Sequence, residues 1–185
     1  MPGSPFAAGD APIALAVDPA SRFVFIANRL SSNVSAFKID SATGGLSPAP
    51  GSPFTVPCPT GSLASADSLA VDASGAFLFV INNCGIDISY ANNIDHIWGF
   101  AIDPNTGALA ALPGSPFFSE SDPEPPGPVG PYDVTVRGNV LYVSNANGTV
   151  SLFAIDETTG GLMQMNGSPV ASGSNMALYN LAFGP

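Results

Sequence analysis

The sequence predicts an all-β fold made by repeating one unit, and three observations carry that prediction. The stretch LAVDPASRFVFIANRLSSNVSAFKIDSATGGLSPAPGSPF, Leu15 to Phe54, returns from Leu69 to Phe117 as LAVDASGAFLFVINN, a long insert and IWGFAIDPNTGALAALPGSPF; it returns again from Val134 to Val170 as VTVRGNVLYVSNANGTVSLFAIDETTGGLMQMNGSPV. A period of about 50 residues is the mark of a repeat architecture. The chain holds 20 Gly and 19 Pro, so it is dense in turns, and almost nothing in it follows the helical period.

Within the first unit, Leu15 to Asp18 and Arg22 to Asn28 are short β-branched or aromatic runs separated by the turn sequence DPAS, in which Pro presets φ and Asp bonds the backbone. These are strands a and b. Val34 to Asp40 alternates apolar and polar residues as strand c, SATG follows, and Leu46 to Phe54 reads as a proline-bearing strand d. Proline cannot donate to a ladder, so d must lie at an edge. Four antiparallel strands with the last at an edge make a β-propeller blade, whose first strand lines the central channel; a β-sandwich is the alternative. Residues 1–185 are then one partial propeller: a tail strand of a preceding blade (1–11), blades at 12–54, 55–117 and 118–170, and the first strand of a further blade (171–185).

Composition removes several functions. Four Lys and Arg against fourteen Asp and Glu give a formal net charge of -10, which repels a polyphosphate backbone, so no nucleic-acid partner is expected. The longest apolar runs resemble FLFVI at Phe77 to Ile81, far short of the roughly 20 residues that span a bilayer. No membrane segment and no cofactor are expected. Met1 is followed by PGSPFAAGD, without a basic or an apolar leader region, so no secretory signal is visible. There is no GxSxG elbow, HExxH, CxxC pair or phosphate loop. The sequons at Asn33 and Asn147 are short patterns that say little.

Loop lengths single out one face. Strands of a meander reverse direction, so the a–b and c–d turns share one face and the b–c and d–a connections share the other. The c–d turns hold five residues each and the a–b turns four, four and two; the b–c loops hold five, fourteen and four, and the d–a connections eight, fourteen, sixteen and ten. Long variable loops on a rigid scaffold carry function, so the second face is the expected binding face. Asp18, Asp72, Asp40, Asp103 and Asp156 fall on the plain face, where Asx turns form.

The turn DPxxR or DxSGx, the run F-hydrophobic-F/Y-V-x-N, VSxFxID, TGxL and GSPF together resemble the seven-bladed lactonase-like propeller family, with its YVTN-type repeats. The resemblance covers nearly the whole chain and rests on blade-forming positions. It implies sugar-lactone hydrolysis and anionic substrates, and histidine near the start of the innermost strands. Here those approaches read APIALAVD, ADSLAVD, GPYDVTV and LYNLAFG, without histidine. Of the four cations, only Arg29 falls on the variable face.

His96, beside Asp95, is a candidate base or metal ligand, and a surface or hydrogen-bonding role is the alternative. With Arg29 these are the catalytic candidates. The expected binding face comprises Asp87, Tyr90, Asn92, Asn93 and Trp98, with Glu120, Asp122 and Glu124 as weak calcium ligands or a solvated acidic loop. Cys58 and Cys84 fall on one face of one blade, so they form a disulfide or remain two unrelated thiols. A disulfide suits an extracellular or periplasmic protein. The sequence ends on NLAFGP, where Leu181 to Phe183 align with strand a, so the ring is expected to be incomplete and the chain to self-associate or to be continued by missing blades. The expected function is a non-catalytic module binding a protein or glycan; a lactonase-type hydrolase and a self-assembling structural repeat are the alternatives.

Overall fold

The computed structural model describes residues 3–58, 64–84, 96–118 and 130–172. They form three five-stranded antiparallel sheets, one per repeat. The first contains β1 (Pro12–Val17), β2 (Phe23–Asn28), β3 (Asn33–Ile39), β4 (Leu46–Pro48) and β5 (Phe54–Thr55). The second contains β6 (Ala64–Val71), β7 (Phe77–Cys84), β8 (His96–Ile102), β9 (Leu109–Ala111) and β10 (Phe117–Phe118). The third contains β11 (Pro131–Arg137), β12 (Val140–Asn145), β13 (Thr149–Ile155), β14 (Leu162–Gln164) and β15 (Val170–Ala171). The inner strand of the second sheet lies between those of the first and third, as in consecutive propeller blades.

Strand d differs from the expectation of one continuous strand. In each blade it is two short pieces, both paired with strand c: β4 and β5 on β3, β9 and β10 on β8, β14 and β15 on β13. The GSP segment between them leaves the ladder, and its serine supplies what the ladder loses. The hydroxyls of Ser52, Ser115 and Ser168 accept the N–H of Ala36, Gly99 and Leu152 at 2.9, 2.9 and 2.8 Å. A strand-c donor that would otherwise be orphaned is thereby satisfied. The preceding glycines, Gly51, Gly114 and Gly167, have φ of +85°, +84° and +82°, a region open to glycine. The signature GSPF is thus a detour in the edge strand, with a side chain standing in for main chain.

Two cores seal the blades together. One contains Phe25, Ala27 and Val34 of the first blade with Leu78, Val80 and Phe100 of the second; the other contains Phe79, Ile81 and Ile97 of the second with Leu141, Val143 and Phe153 of the third. Alternate residues of b and c thus face opposite neighbours, which is why these strands read as continuous apolar runs. Phe79 is fully buried, contributing about 1.5–3 kcal/mol by transfer from water. The TGxL glycine completes the seam: a Cβ on Gly107 would lie 2.5 Å from the Phe23 ring, and one on Gly160 2.6 Å from Phe77. The second and third blades therefore rest their c–d turns on the first aromatic of the blade before.

Candidate functional site

The plain face is held by turns. Asp40, Asp103 and Asp156 each accept backbone N–H groups two and three residues ahead, while Asp18 and Asp72 reach across the a–b turn to Phe23 and Phe77. These bonds hold the carboxyls of Asp40, Asp103 and Asp156 below their usual value, led by the N–H of Thr43, Asn105 and Thr159 respectively. Burial pushes Asp18 up, but the Phe23 N–H and the Arg22 side chain and N–H together outweigh it, so its net shift is downward. Arg22 and Lys38 add contacts to the carbonyls of Pro104 and Asn105 in the next blade. These aspartates hold turns.

At the other face each inner strand begins with the same irregularity. Pro12 and Ala14 pair with Asn28 and Ala27, Ala66 and Ser68 with Asn82 and Ile81, and Pro131 and Asp133 with Asn145 and Ser144. One residue per strand is left over, Ile13, Asp67 or Tyr132, a β-bulge repeated three times. The bulges and the residues beside them line a cavity of about 520 Å³ that includes Ile13, Arg29, Asp67, Ser68, Tyr132 and Asp133. The backbone is common to the blades, and the side chains are not.

The polar groups of this mouth are tied across the seams. Arg29, just past β2, places Nε 3.0 Å from Asp67 Oδ1, joining the first blade to the second. The Asp67 carboxylate also accepts from the Ser65 hydroxyl at 2.7 Å and from the Asn83 amide, and its side chain is 9% exposed. The Ser68 hydroxyl donates to Asp133 Oδ1 at 2.6 Å, joining the second blade to the third. Two carboxylates are thus held in place beside the Tyr132 ring and one half-exposed guanidinium.

Of the residues singled out in the sequence, Arg29 reaches this mouth. His96 starts β8, pairs in register with Asn82 and Phe118, and is 2% exposed, within its blade and outside the cavity lining. The Trp98 ring stacks on Phe100 at 6.0 Å, and its Nε1 donates to the Pro57 carbonyl at 3.1 Å. It pins the d–a connection. Cys58 and Cys84 are joined in a disulfide with Cα atoms 5.6 Å apart, and Asn82 Nδ2 holds the same connection through the Val56 and Pro57 carbonyls. Asp87, Tyr90, Asn92, Asn93, Asp95, Glu120, Asp122 and Glu124 lie outside the described residues, as do 173–185. Asp67, Ser68, Tyr132 and Asp133 were not predicted from sequence. Their only signal was polarity just ahead of the apolar a strands, in ADSLAV and PYDVTV.

Among curated proteins no sequence matches the chain. Residues 5–64 match the lactonase, seven-bladed β-propeller family. Of solved structures, the periplasmic gluconolactonase of Pseudomonas aeruginosa aligns with a TM-score of 0.65 at 23% identity, over 89% of this chain and 42% of its own. A Lactobacillus plantarum protein aligns at 0.66 and 24%, over 87% and 42%, and a Bacteroides uniformis protein described provisionally as a 6-phosphogluconolactonase at 0.68 and 19%, over 93% and 43%. These likenesses are of fold, and the chain spans under half the length of each of these three structures. The chain as a whole is thus a β-propeller segment of three successive blades, and its residues 5–64 are similar to the lactonase, seven-bladed β-propeller family.

Proposed function

We propose that this chain is the ligand-binding part of a lactonase-like propeller, without catalytic chemistry of its own, and that it takes a hydroxylated, sugar-like ligand at the mouth of its inner strands. The observation that carries this reading is the bulge repeated at Ile13, Asp67 and Tyr132. A constant backbone presenting unlike side chains to one cavity is how a repeat scaffold builds a specific site. Carboxylates accept from sugar hydroxyls, Tyr132 offers an aromatic edge or face, and Leu15 and Leu69 give the apolar wall that C–H faces of a sugar require. The Cys58–Cys84 bond suits an oxidising, exported location, and one matched structure is periplasmic.

Hydrolysis is the second reading, favoured by the lactonase match over residues 5–64. It requires a group that activates water, and His96 is buried away from the mouth. The two readings separate in one experiment on the full chain: amide chemical-shift titration with methyl β-D-glucoside and glucono-1,5-lactone, with lactone hydrolysis followed by pH-stat. Binding at β1, β6 and β11 that Asp133→Ala weakens, without turnover, supports the binding module. Turnover above the buffer rate supports the hydrolase. If neither compound binds, the sugar-binding reading is overturned.

A further inference from the structure

We infer that the mouth selects neutral or cationic hydroxylated ligands and excludes phosphorylated and carboxylated ones; this deepens the binding reading above and rests on it. The cavity lining carries two carboxylates, Asp67 and Asp133, against one guanidinium, Arg29, a formal excess of one negative charge. The one cation is also committed. Its Nε bonds Asp67 at 3.0 Å, and the Asp67 side chain is 9% exposed. An anionic ligand that approached Arg29 would sit beside both carboxylates, which together outweigh the single guanidinium.

No other cation on the described residues comes to help. Arg22 bonds Asp18 and reaches the Pro104 carbonyl, and Lys38 reaches the Asn105 carbonyl, both at the plain face. Arg137 ends β11 at the opposite end of that strand from Asp133. The formal net charge of -10 adds a repulsive field around the whole chain. Hydroxyl donors suit the same lining. A sugar hydroxyl finds an acceptor oxygen at either carboxylate, and an ammonium adds charge complementarity. A phosphate ester offers acceptors to a surface that offers mostly acceptors.

The test is calorimetric titration of the full chain with three glucose derivatives of one ring shape: methyl β-D-glucoside, glucosamine and glucose 6-phosphate. Glucosamine is expected to bind at least as tightly as the glucoside, and the phosphate about tenfold or more weaker at low salt, with the gap narrowing as salt screens the site. Asp133→Asn keeps an acceptor for the Ser68 hydroxyl and brings the lining to neutrality, so it should narrow the gap as well. Phosphate binding equal to or tighter than the glucoside overturns the inference and leaves the mouth as a binding site. A gap that neither salt nor Asp133→Asn changes also overturns it, because the discrimination would not come from these carboxylates. Failure of all three to bind overturns the binding reading itself.

Discussion

Arg29 and Asp67 meet at 3.0 Å across the seam between the first two blades, a contact between a b–c turn and the bulge of the next inner strand. The two partners are not equivalent. Arg29 is 54% exposed and Asp67 9%, so the pair draws little from Coulomb attraction in water and more from the bonds that converge on Asp67. Arg29→Ala should cost about 0–1 kcal/mol, as half-exposed ion pairs do. Asp67→Ala also strands the Ser65 hydroxyl and Asn83 amide, and should cost about 1–3 kcal/mol. Urea denaturation of both variants measures the asymmetry; equal costs would mean that Asp67 is held by the ion pair alone.

Gly107 and Gly138 both have positive φ, +74° and +60°, yet they should respond differently to substitution. A methyl group on Gly138 meets nothing within 4 Å, whereas one on Gly107 lies 2.5 Å from the Phe23 ring at the blade seam. Gly138→Ala therefore carries backbone strain only, about 1 kcal/mol. Gly107→Ala adds displacement of a packed aromatic, a further 1–3 kcal/mol or about that. Comparison of their urea midpoints tests the seam, and similar losses would show that Phe23 moves aside freely.

Acid should unfold the chain through its turn aspartates. Asp18, Asp40, Asp103 and Asp156 all have folded values below the ordinary 3.8. A depressed folded value means that the stabilisation is fully present above the unfolded value and is lost as pH falls through the folded one. Stability should therefore hold from neutral pH down to about the unfolded value and then drop below it. The triple variant Asp40→Asn, Asp103→Asn and Asp156→Asn keeps one acceptor oxygen at each turn and removes the proton-linked part. Its stability should fall less between pH 5 and pH 2 than that of the parent. An unchanged acid slope would assign acid unfolding to other carboxylates.

These turns were legible in the sequence because they are local: an Asp that bonds two and three residues ahead announces itself by its neighbours. The blade period, the edge position of strand d and the separation of the two faces follow from the same short-range logic. The mouth was not legible. Asp67 meets Arg29 over 38 positions, and it does so because a bulge turns the strand by one residue, an offset that composition does not show. The detour at GSPF escaped for a related reason. Proline signals a ladder gap, but nothing in the letters says that Ser52 will fill it with a hydroxyl. His96 and Trp98 drew attention by their chemistry, while the burial of His96 and the half-burial of Trp98 depend on how β8 meets the strands on either side of it.

The Cys58–Cys84 bond closes a separation of 26 residues between a d–a connection and the end of β7. Chain entropy gives such a cross-link about 3–4 kcal/mol. The segment it ties is already held by Asn82 and Trp98, so the Cys58→Ser and Cys84→Ser double variant should remain folded with lowered stability. Thiol titration of the parent under denaturing, non-reducing conditions should find no free thiol. Two free thiols would show that the bond does not form, and the reason for placing the chain in an oxidising compartment would go with it.

The face of β1 is the last consequence of the repeat. Leu69 and Val71 of β6 pack against the preceding blade, and Val134 and Val136 of β11 do the same. Their counterparts Leu15 and Val17, with Ile13, are 64%, 49% and 51% exposed. The strand therefore presents a seam-forming surface with no blade against it among the described residues, an association hazard. Among the described residues no further apolar surface covers it, so in a solution of this chain alone a second copy is expected to do so. Light scattering should show mass rising with concentration, and Leu15→Lys should shift the distribution toward monomer without lowering the urea midpoint at high dilution. A monomer at all concentrations would mean that a seam surface of this size is tolerated in water.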